Sequence, residues 1–148
     1  MRLVVQRVSR AAVRVGGDEV TSIGPGLLVL VGVGHDESDG EVPWLAAKLA
    51  HLRIFEDADG KMNRSVLEVG GEVLVVPQFT LYGDVRKGRR PSWADAAAPE
   101  VARERVDAFA KALRDEGVPV QEGAFREHLE VELVNDGPVT ILLEGRPP

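Results

Sequence analysis

Cysteine is absent from the chain. That removes disulfides, thiolate metal ligands and a cysteine nucleophile in one step. No stretch approaches the roughly 18 apolar residues of a membrane-spanning helix. The first residues, Met1-Arg2-Leu3-Val4-Val5-Gln6-Arg7, turn polar too early for a secretory signal. A cytoplasmic protein without membrane attachment is therefore expected. The sequence also lacks a Gly-x-Ser-x-Gly elbow, a Walker loop and a His-Glu-x-x-His pair. It has no excess of basic residues. A net charge of −6 argues against a protein that coats nucleic acid over its whole surface, so any such contact must be local. Repeats, low-complexity stretches and linkers are missing too, and 148 residues with 44% hydrophobic content suit a single domain spanning residues 1–148.

What is present reads as a strand-rich chain with two helices. Arg2 to Val8 alternates as a strand and Ala11 to Val15 as its partner, with Gly16-Gly17-Asp18 turning into a return over Glu19 to Ile23. After the break Gly24-Pro25-Gly26, Leu27 to Val33 is a nearly continuous Leu/Val run, as in a strand covered on both faces. Gly32 and Gly34 at its end imply a close neighbour. Ser38 and Glu41 form a capping-box pattern, and Val42, Leu45, Leu49 and Leu52 give a helical stripe. A short strand over Arg53 to Glu56, a turn at Asp57-Ala58-Asp59-Gly60 and a central strand over Glu72 to Val76 follow. Pro99 opens the clearest helix, which ends at Gly117 and lines one face with Ala102, Val106, Phe109 and Leu113. Val118 to Gln121 and Glu130 to Val134 read as strands, Asn135-Asp136-Gly137-Pro138 as a turn, and Val139 to Leu143 as the last strand. The expected fold class is α/β: a strongly curved, barrel-like mixed sheet with two main helices packed against it.

Three stretches carry candidate chemistry. Val75 to Asp84 leaves the core as a strand and then presents Gln78, Thr80 and Tyr82 among apolar residues, which suits either a polar site or a plain core strand. Arg86-Lys87-Gly88-Arg89-Arg90 places four cations in five residues. A solvated loop is the default, but on an acidic protein it is equally a local site for phosphate. Asn135 to Thr140 is either an ordinary hairpin turn or, if the Gly137-Pro138 bond is cis, a device that aims two backbone carbonyls the same way. The three histidines, His35, His51 and His128, lie in unrelated contexts. His51 suits a helix surface and His35-Asp36-Glu37 a solvated loop, and nothing supports a Ser-His-Asp triad.

Taken together, Val75-Val-Pro-Gln-Phe-Thr-Leu-Tyr-Gly-Asp84 and Val134-Asn-Asp-Gly-Pro-Val-Thr140 resemble the two signature motifs of the D-aminoacyl-tRNA deacylase family. The similarity extends to Val5-Gln-Arg-Val-Ser-Arg10, Ile23-Gly-Pro-Gly-Leu-Leu-Val29, Leu52-Arg-Ile-Phe-Glu-Asp57, Gly60-Lys-Met-Asn63 and Arg86-Lys-Gly-Arg-Arg-Pro-Ser92. The resemblance implies an editing enzyme that cleaves the ester joining a D-amino acid to the 3′ ribose of tRNA. It implies a homodimer with its sites at the subunit interface and with no cofactor or metal. Gly137-Pro138 would be a cis pair inserted into the partner's pocket, where its carbonyls bind the substrate amino group, with Arg7 holding it in orientation. Gln78, Phe79 and Thr80 match the catalytic pocket floor, and Phe125 matches a phenylalanine of the substrate pocket. Arg86, Lys87, Arg89 and Arg90 would meet the tRNA acceptor end. Thr80 has been viewed as a nucleophile. The competing view gives the chemistry to backbone amides near Phe79 and the tRNA 2′-hydroxyl, and it is favoured here because the motif offers a threonine no adjacent base.

The chain departs from the family pattern at two places. Pro77 stands where the family usually has serine, which removes a hydroxyl and an N–H at the pocket edge. Arg126-Glu127-His128-Leu129 replaces the usual small residues, so a narrower or more charged rim is expected. These departures keep a second reading open, a non-catalytic tRNA-binding or interaction module, and a third, an esterase of small molecules.

Overall fold

The computed structural model describes residues 1–36 and 38–145. Its spine is β1 (Arg2–Val15), one strand of 14 residues where the sequence suggests two. β2 (Asp18–Ile23) pairs with the second half of β1, and β3 (Gly26–Gly32) with the first half. The expected partnership of Arg2–Val8 with Ala11–Val15 is thus replaced by continuity. Nothing between Val8 and Ala11 turns the chain, and β3 supplies the missing neighbour.

Two crossovers extend the sheet. β3 leads through α1 (Glu41–His51) and the small hairpin β4 (Phe55–Glu56) and β5 (Met62–Arg64) to β6 (Glu72–Pro77), which lies parallel to β3. β6 leads through α2 (Pro99–Asp115) to β7 (Val120–Glu122), parallel to β6. β8 (Glu130–Glu144) returns antiparallel along the other side of β1. The result is a mixed six-stranded sheet whose far strands curl round, bringing β2 towards β6 and β7.

Strand alternation gives the sheet two apolar faces. Leu3, Val5, Leu27, Val29, Val31, Val73 and Val75 meet Val42, Leu45 and Leu49 of α1 and Val106, Phe109 and Leu113 of α2. Inside the curl, Val8, Ala11, Val13, Ile23, Leu28, Leu74 and Val76 form a second core. α2 follows the expectation, with Pro99 in its first turn and Gly117 beyond its end at φ +100°, a backbone angle that favours glycine.

The capping box at α1 does not form. Gly40 precedes the helix without a side-chain cap. Glu41 is instead buried, and its carboxylate accepts a 2.6 Å hydrogen bond from the Met1 amino group. A fully charged partner outcompetes a backbone amide for that carboxylate.

Among the described residues no helix is long and apolar enough to cross a membrane. Phe109 is fully buried between α2 and the sheet. Phe109→Ala is therefore expected to lower stability by about 3–5 kcal/mol. Urea denaturation checks this as a lower midpoint at unchanged m-value.

Candidate active site

β6 carries the chain out of the core at Pro77, and the Gln78 N–H closes the ladder on the Val31 carbonyl at 2.7 Å. A single 3₁₀ turn, Phe79–Tyr82, follows. Two absences on the neighbouring chain allow it to sit there. A Cβ on Gly32 would lie 2.8 Å from Leu81 Cβ, and one on Gly34 would lie 2.6 Å from the Tyr82 ring. The close neighbour implied by these glycines is thus the turn itself. Arg2 fastens its far end by donating to the Leu81 carbonyl at 2.9 Å, with its guanidinium 4.5 Å from the centre of the Tyr82 ring.

Within the turn, Leu81 N–H donates to the Gln78 carbonyl and Gly83 N–H to the Thr80 carbonyl. The leading amides, those of Phe79 and Thr80, have no acceptor inside the turn and point out of its start. The hydroxyl of Thr80 accepts a hydrogen bond from Gln78 Nε2. Gln78 is a donor here, so it cannot take a proton from that hydroxyl. Phe79 is exposed and packs edge to face on Trp93, with ring centres 5.1 Å apart.

Beside the turn opens a largely apolar cleft of about 810 Å³. It is lined by Val31, Val33 and Pro77, by Gln78, Phe79 and Trp93, and by Phe125. Arg103 of α2 lies 5.9 Å from the Phe125 ring centre. Arg126, Glu127 and His128 are exposed at the mouth, so the rim is charged as expected. Arg126 adopts φ +58°, which is uncommon for a residue with a side chain. Pro77, which lines the cleft, ends the ladder, and its missing N–H leaves no unmet donor there.

Gly137 and Pro138 lie elsewhere. The hairpin expected between Glu130–Val134 and Val139–Leu143 is absent, because both segments run the same way along β1 as parts of β8. Between the pairs Val8↔Asn135 and Gln6↔Thr140, β8 takes five steps to the two of β1, and the surplus loops out opposite Arg7. The local turn signal is real, but a shared partner strand on both sides overrides it. The Gly137-Pro138 peptide is cis, and both residues are exposed. Arg7 is 6% exposed and donates from Nε to the Asp136 carbonyl at 2.9 Å and from Nη1 to the Ile54 carbonyl at 2.7 Å. It therefore ties the loop to the segment that enters β4. Neither Arg7 nor the loop lines the cleft of the same chain.

The basic loop is closed by an antiparallel bridge between Asp84 and Ser92. Arg86 does not hang free. It grips Asp84 in a fork, Nε to Oδ1 at 2.9 Å and Nη2 to Oδ2 at 2.7 Å, and its own N–H also meets Oδ1. Hydrogen bonding from Arg86 pulls the Asp84 carboxyl down to about 2. Lys87, Arg89 and Arg90 are exposed.

Of the histidines, exposed His35 pairs with Asp36 and His51 with Glu116, each at 3.0 Å. Glu37, the third residue of that first group, lies outside the described residues. Among the described residues no group of three or more His, Asp or Glu side chains is placed to hold a metal ion.

The structure thus brings Gln78, Phe79 and Phe125 to one cleft, with Thr80 exposed beside it and bonded to Gln78, sets Arg7, Gly137 and Pro138 in a second cluster, and puts the cations in a third. Sequence reasoning did not single out Trp93, Arg103 or the Asp84–Arg86 fork. Only the last had a signal, an acid two residues before an arginine beside a turn glycine.

Comparison with known proteins gives a consistent result. The family model described as D-Tyr-tRNA(Tyr) deacylase matches residues 4–144. A D-aminoacyl-tRNA deacylase of Thermomicrobium roseum is 62% identical over 98% of this chain and 94% of its own length. A protein of the same name from Heliobacterium modesticaldum is 58% identical over 99% and 97%. Among solved structures, a c-Myc DNA Unwinding Element Binding Protein superposes with a TM-score of 0.93 at 39% identity, covering 99% of this chain and all of that one. A probable eukaryotic D-amino acid tRNA deacylase shares the fold, with a TM-score of 0.80 at 21% identity over 96% and 97% of the two chains. With both the Phe79–Tyr82 turn and the Gly137-Pro138 loop inside the matched span, the chain belongs to the D-Tyr-tRNA(Tyr) deacylase family, a family of hydrolases.

Proposed function

We propose that the chain folds as one cytoplasmic domain, pairs with a second copy of itself and hydrolyses the ester between a D-amino acid and the 3′ ribose of tRNA. The observation that carries this reading is the family match over residues 4–144, which takes in both the turn and the loop. In the reaction, water adds to the ester carbonyl and the carbonyl oxygen gathers negative charge. The bond to the ribose oxygen then breaks, and that oxygen leaves with the proton the water gives up. The free amides of Phe79 and Thr80 are the donors for the developing oxyanion. An aminoacyl ester is already activated, so placing it against those amides supplies much of what is needed.

Thr80 is a poor nucleophile in this setting, since its partner Gln78 is a donor and no base adjoins it. The 2′-hydroxyl beside the ester assists instead. Gln78, Phe79 and Phe125 line the pocket that receives the substrate.

Selectivity comes from the partner. The Gly137-Pro138 loop, tethered by Arg7, enters the cleft of the second copy, and its carbonyls bind the substrate amino group. With that group fixed, an L side chain meets the wall while a D side chain points to solvent, so discrimination works by repulsion. Support for the pairing lies on the open face of the sheet. There Leu30, Val4 and Leu142 form a cross-strand apolar row, and Leu142 is 73% exposed. The basic loop meets the phosphates of the acceptor end. Arg86 serves its shape through Asp84, and Lys87, Arg89 and Arg90 supply the contact.

Three outcomes test this reading. Thr80→Ala is expected to keep most of the single-turnover rate on D-tyrosyl-tRNA, losing far less than the roughly hundredfold that removal of a general base costs. Near-total loss in a folded variant restores the nucleophile. Glycyl-tRNA, including tRNA(Ala) mischarged with glycine, has no side chain to reject and should be hydrolysed while L-tyrosyl-tRNA survives. Intact glycyl-tRNA beside a cleaved D-ester refutes the steric account. Joint replacement of Lys87, Arg89 and Arg90 by alanine should raise KM with little change in kcat and flatten its salt dependence, and an unchanged KM dismisses the phosphate contact.

A further inference from the structure

The loop that looks out from β8 has to keep its shape with little around it, since Asp136, Gly137 and Pro138 are all exposed. Arg7 reaches it from β1 on its entry side, donating to the Asp136 carbonyl, lying 3.7 Å from the Asp136 carboxylate and passing close to Gly137. The exit of the loop is held by something else. Val139 N–H donates to Asn135 Oδ1 at 2.8 Å, and Asn135 Nδ2 donates back to the Val139 carbonyl at 3.2 Å. The same Nδ2 also reaches Thr140 Oγ1 at 3.2 Å. A side-chain amide thus takes both polar groups of one backbone residue, as the peptide of an adjoining strand does in a ladder. It occupies the place that the expelled residues vacate.

Both ends of this clasp are fixed. Asn135 is paired with Val8 on β1, and Thr140 with Gln6, whose side chain also donates to Thr140 Oγ1. Val139 is 7% exposed and packs into the core beneath α1 and α2. The three loop residues are therefore strung between two points anchored on β1, and one carboxamide links those points directly across the base of the loop. Gly137 takes up the remaining geometry at φ +144°, where an added Cβ would lie 2.7 Å from Val139 Cγ2.

We infer that Asn135 is a positioning residue for substrate handedness: its carboxamide closes the base of the Gly137-Pro138 loop and fixes the direction in which the loop carbonyls face the substrate amino group. The inference rests on the reading of that loop as the element that judges chirality. It adds a second tether that acts from within β8 and independently of Arg7. The chemistry asks for an acceptor and a donor on one short planar group, which asparagine supplies. Aspartate keeps the shape and the acceptor but loses the donor, and it turns a carboxylate towards the Val139 carbonyl.

The test compares Asn135→Asp, Asn135→Ala and Gly137→Ala with the parent protein. Single-turnover hydrolysis of D-tyrosyl-tRNA and L-tyrosyl-tRNA is measured with excess enzyme, alongside thermal melting. Asn135→Asp is expected to lower the D-over-L ratio by about tenfold, the scale of one part-buried hydrogen bond left unmet. Asn135→Ala should follow it, and melting should shift only slightly. Should the aspartate variant not fold, the alanine variant carries the same readout. Equal loss on both esters, in step with a lowered melting temperature, overturns the inference and leaves Asn135 a stability residue. An unchanged ratio in both Asn135 variants, with a lowered ratio in Gly137→Ala, overturns it while sparing the loop reading. An unchanged ratio in Gly137→Ala as well removes the loop reading and this inference together.

Discussion

Two strands that stay bonded on both sides of a length mismatch must expel the difference. That constraint governs β1 and β8. They are paired from Arg2↔Glu144 to Gln6↔Thr140 and again from Val8↔Asn135 to Arg14↔Glu130. Neither segment can slide, because a shift by one residue would turn the inward side chains of β8, Val139 among them, away from the core. The surplus therefore stands out from the sheet at one place, opposite Arg7. A loop created this way differs from one that joins two elements. Both its ends belong to the same rigid ladder, and its freedom is correspondingly small.

The other half of the proposed site is built on the same principle by different means. The Phe79–Tyr82 turn rests on two glycines of the segment around the end of β3 and is clamped by Arg2 from β1. Its position is thus referred closely to the sheet, with the Leu81 and Tyr82 side chains resting directly on glycine backbone. This suits chemistry carried by amides, which act only where they already point. A charged catalytic group can compensate for a loose frame by strength, and a peptide N–H cannot.

Much of this frame was legible in the sequence, and the misses have a common cause. α2 was readable from Pro99, its apolar stripe and Gly117, all local features. β3 and β6 announced themselves as unbroken apolar runs. What misled was continuity. Asn135-Asp136-Gly137-Pro138 carries strong turn residues, yet here it interrupts a strand without reversing it, because β1 lies alongside both flanks. Likewise Ser38 and Glu41 make a local capping pattern, but Glu41 finds the Met1 amino group, which is 40 residues away in sequence. Local propensity is visible in a window of residues, whereas a partner from the far end of the chain is not. At the proposed site, Gln78, Phe79 and Phe125 line one cleft, and Thr80 stands beside it. The edge-to-face contact of Trp93 with Phe79 and the approach of Arg103 to Phe125 depend on the packing of α2 and the loop before it, which no spacing encodes.

The union of first and last strands also bears on how the chain comes into being. Gln6 meets Thr140 across 134 positions, and until β8 has been synthesised one whole flank of β1 has no neighbour. A nascent chain emerging from the ribosome would therefore display an open strand edge through most of its translation, the kind of surface that invites aggregation and the attention of chaperones. Closure comes only with the final segment, and it is that same segment which brings the Gly137-Pro138 loop into being.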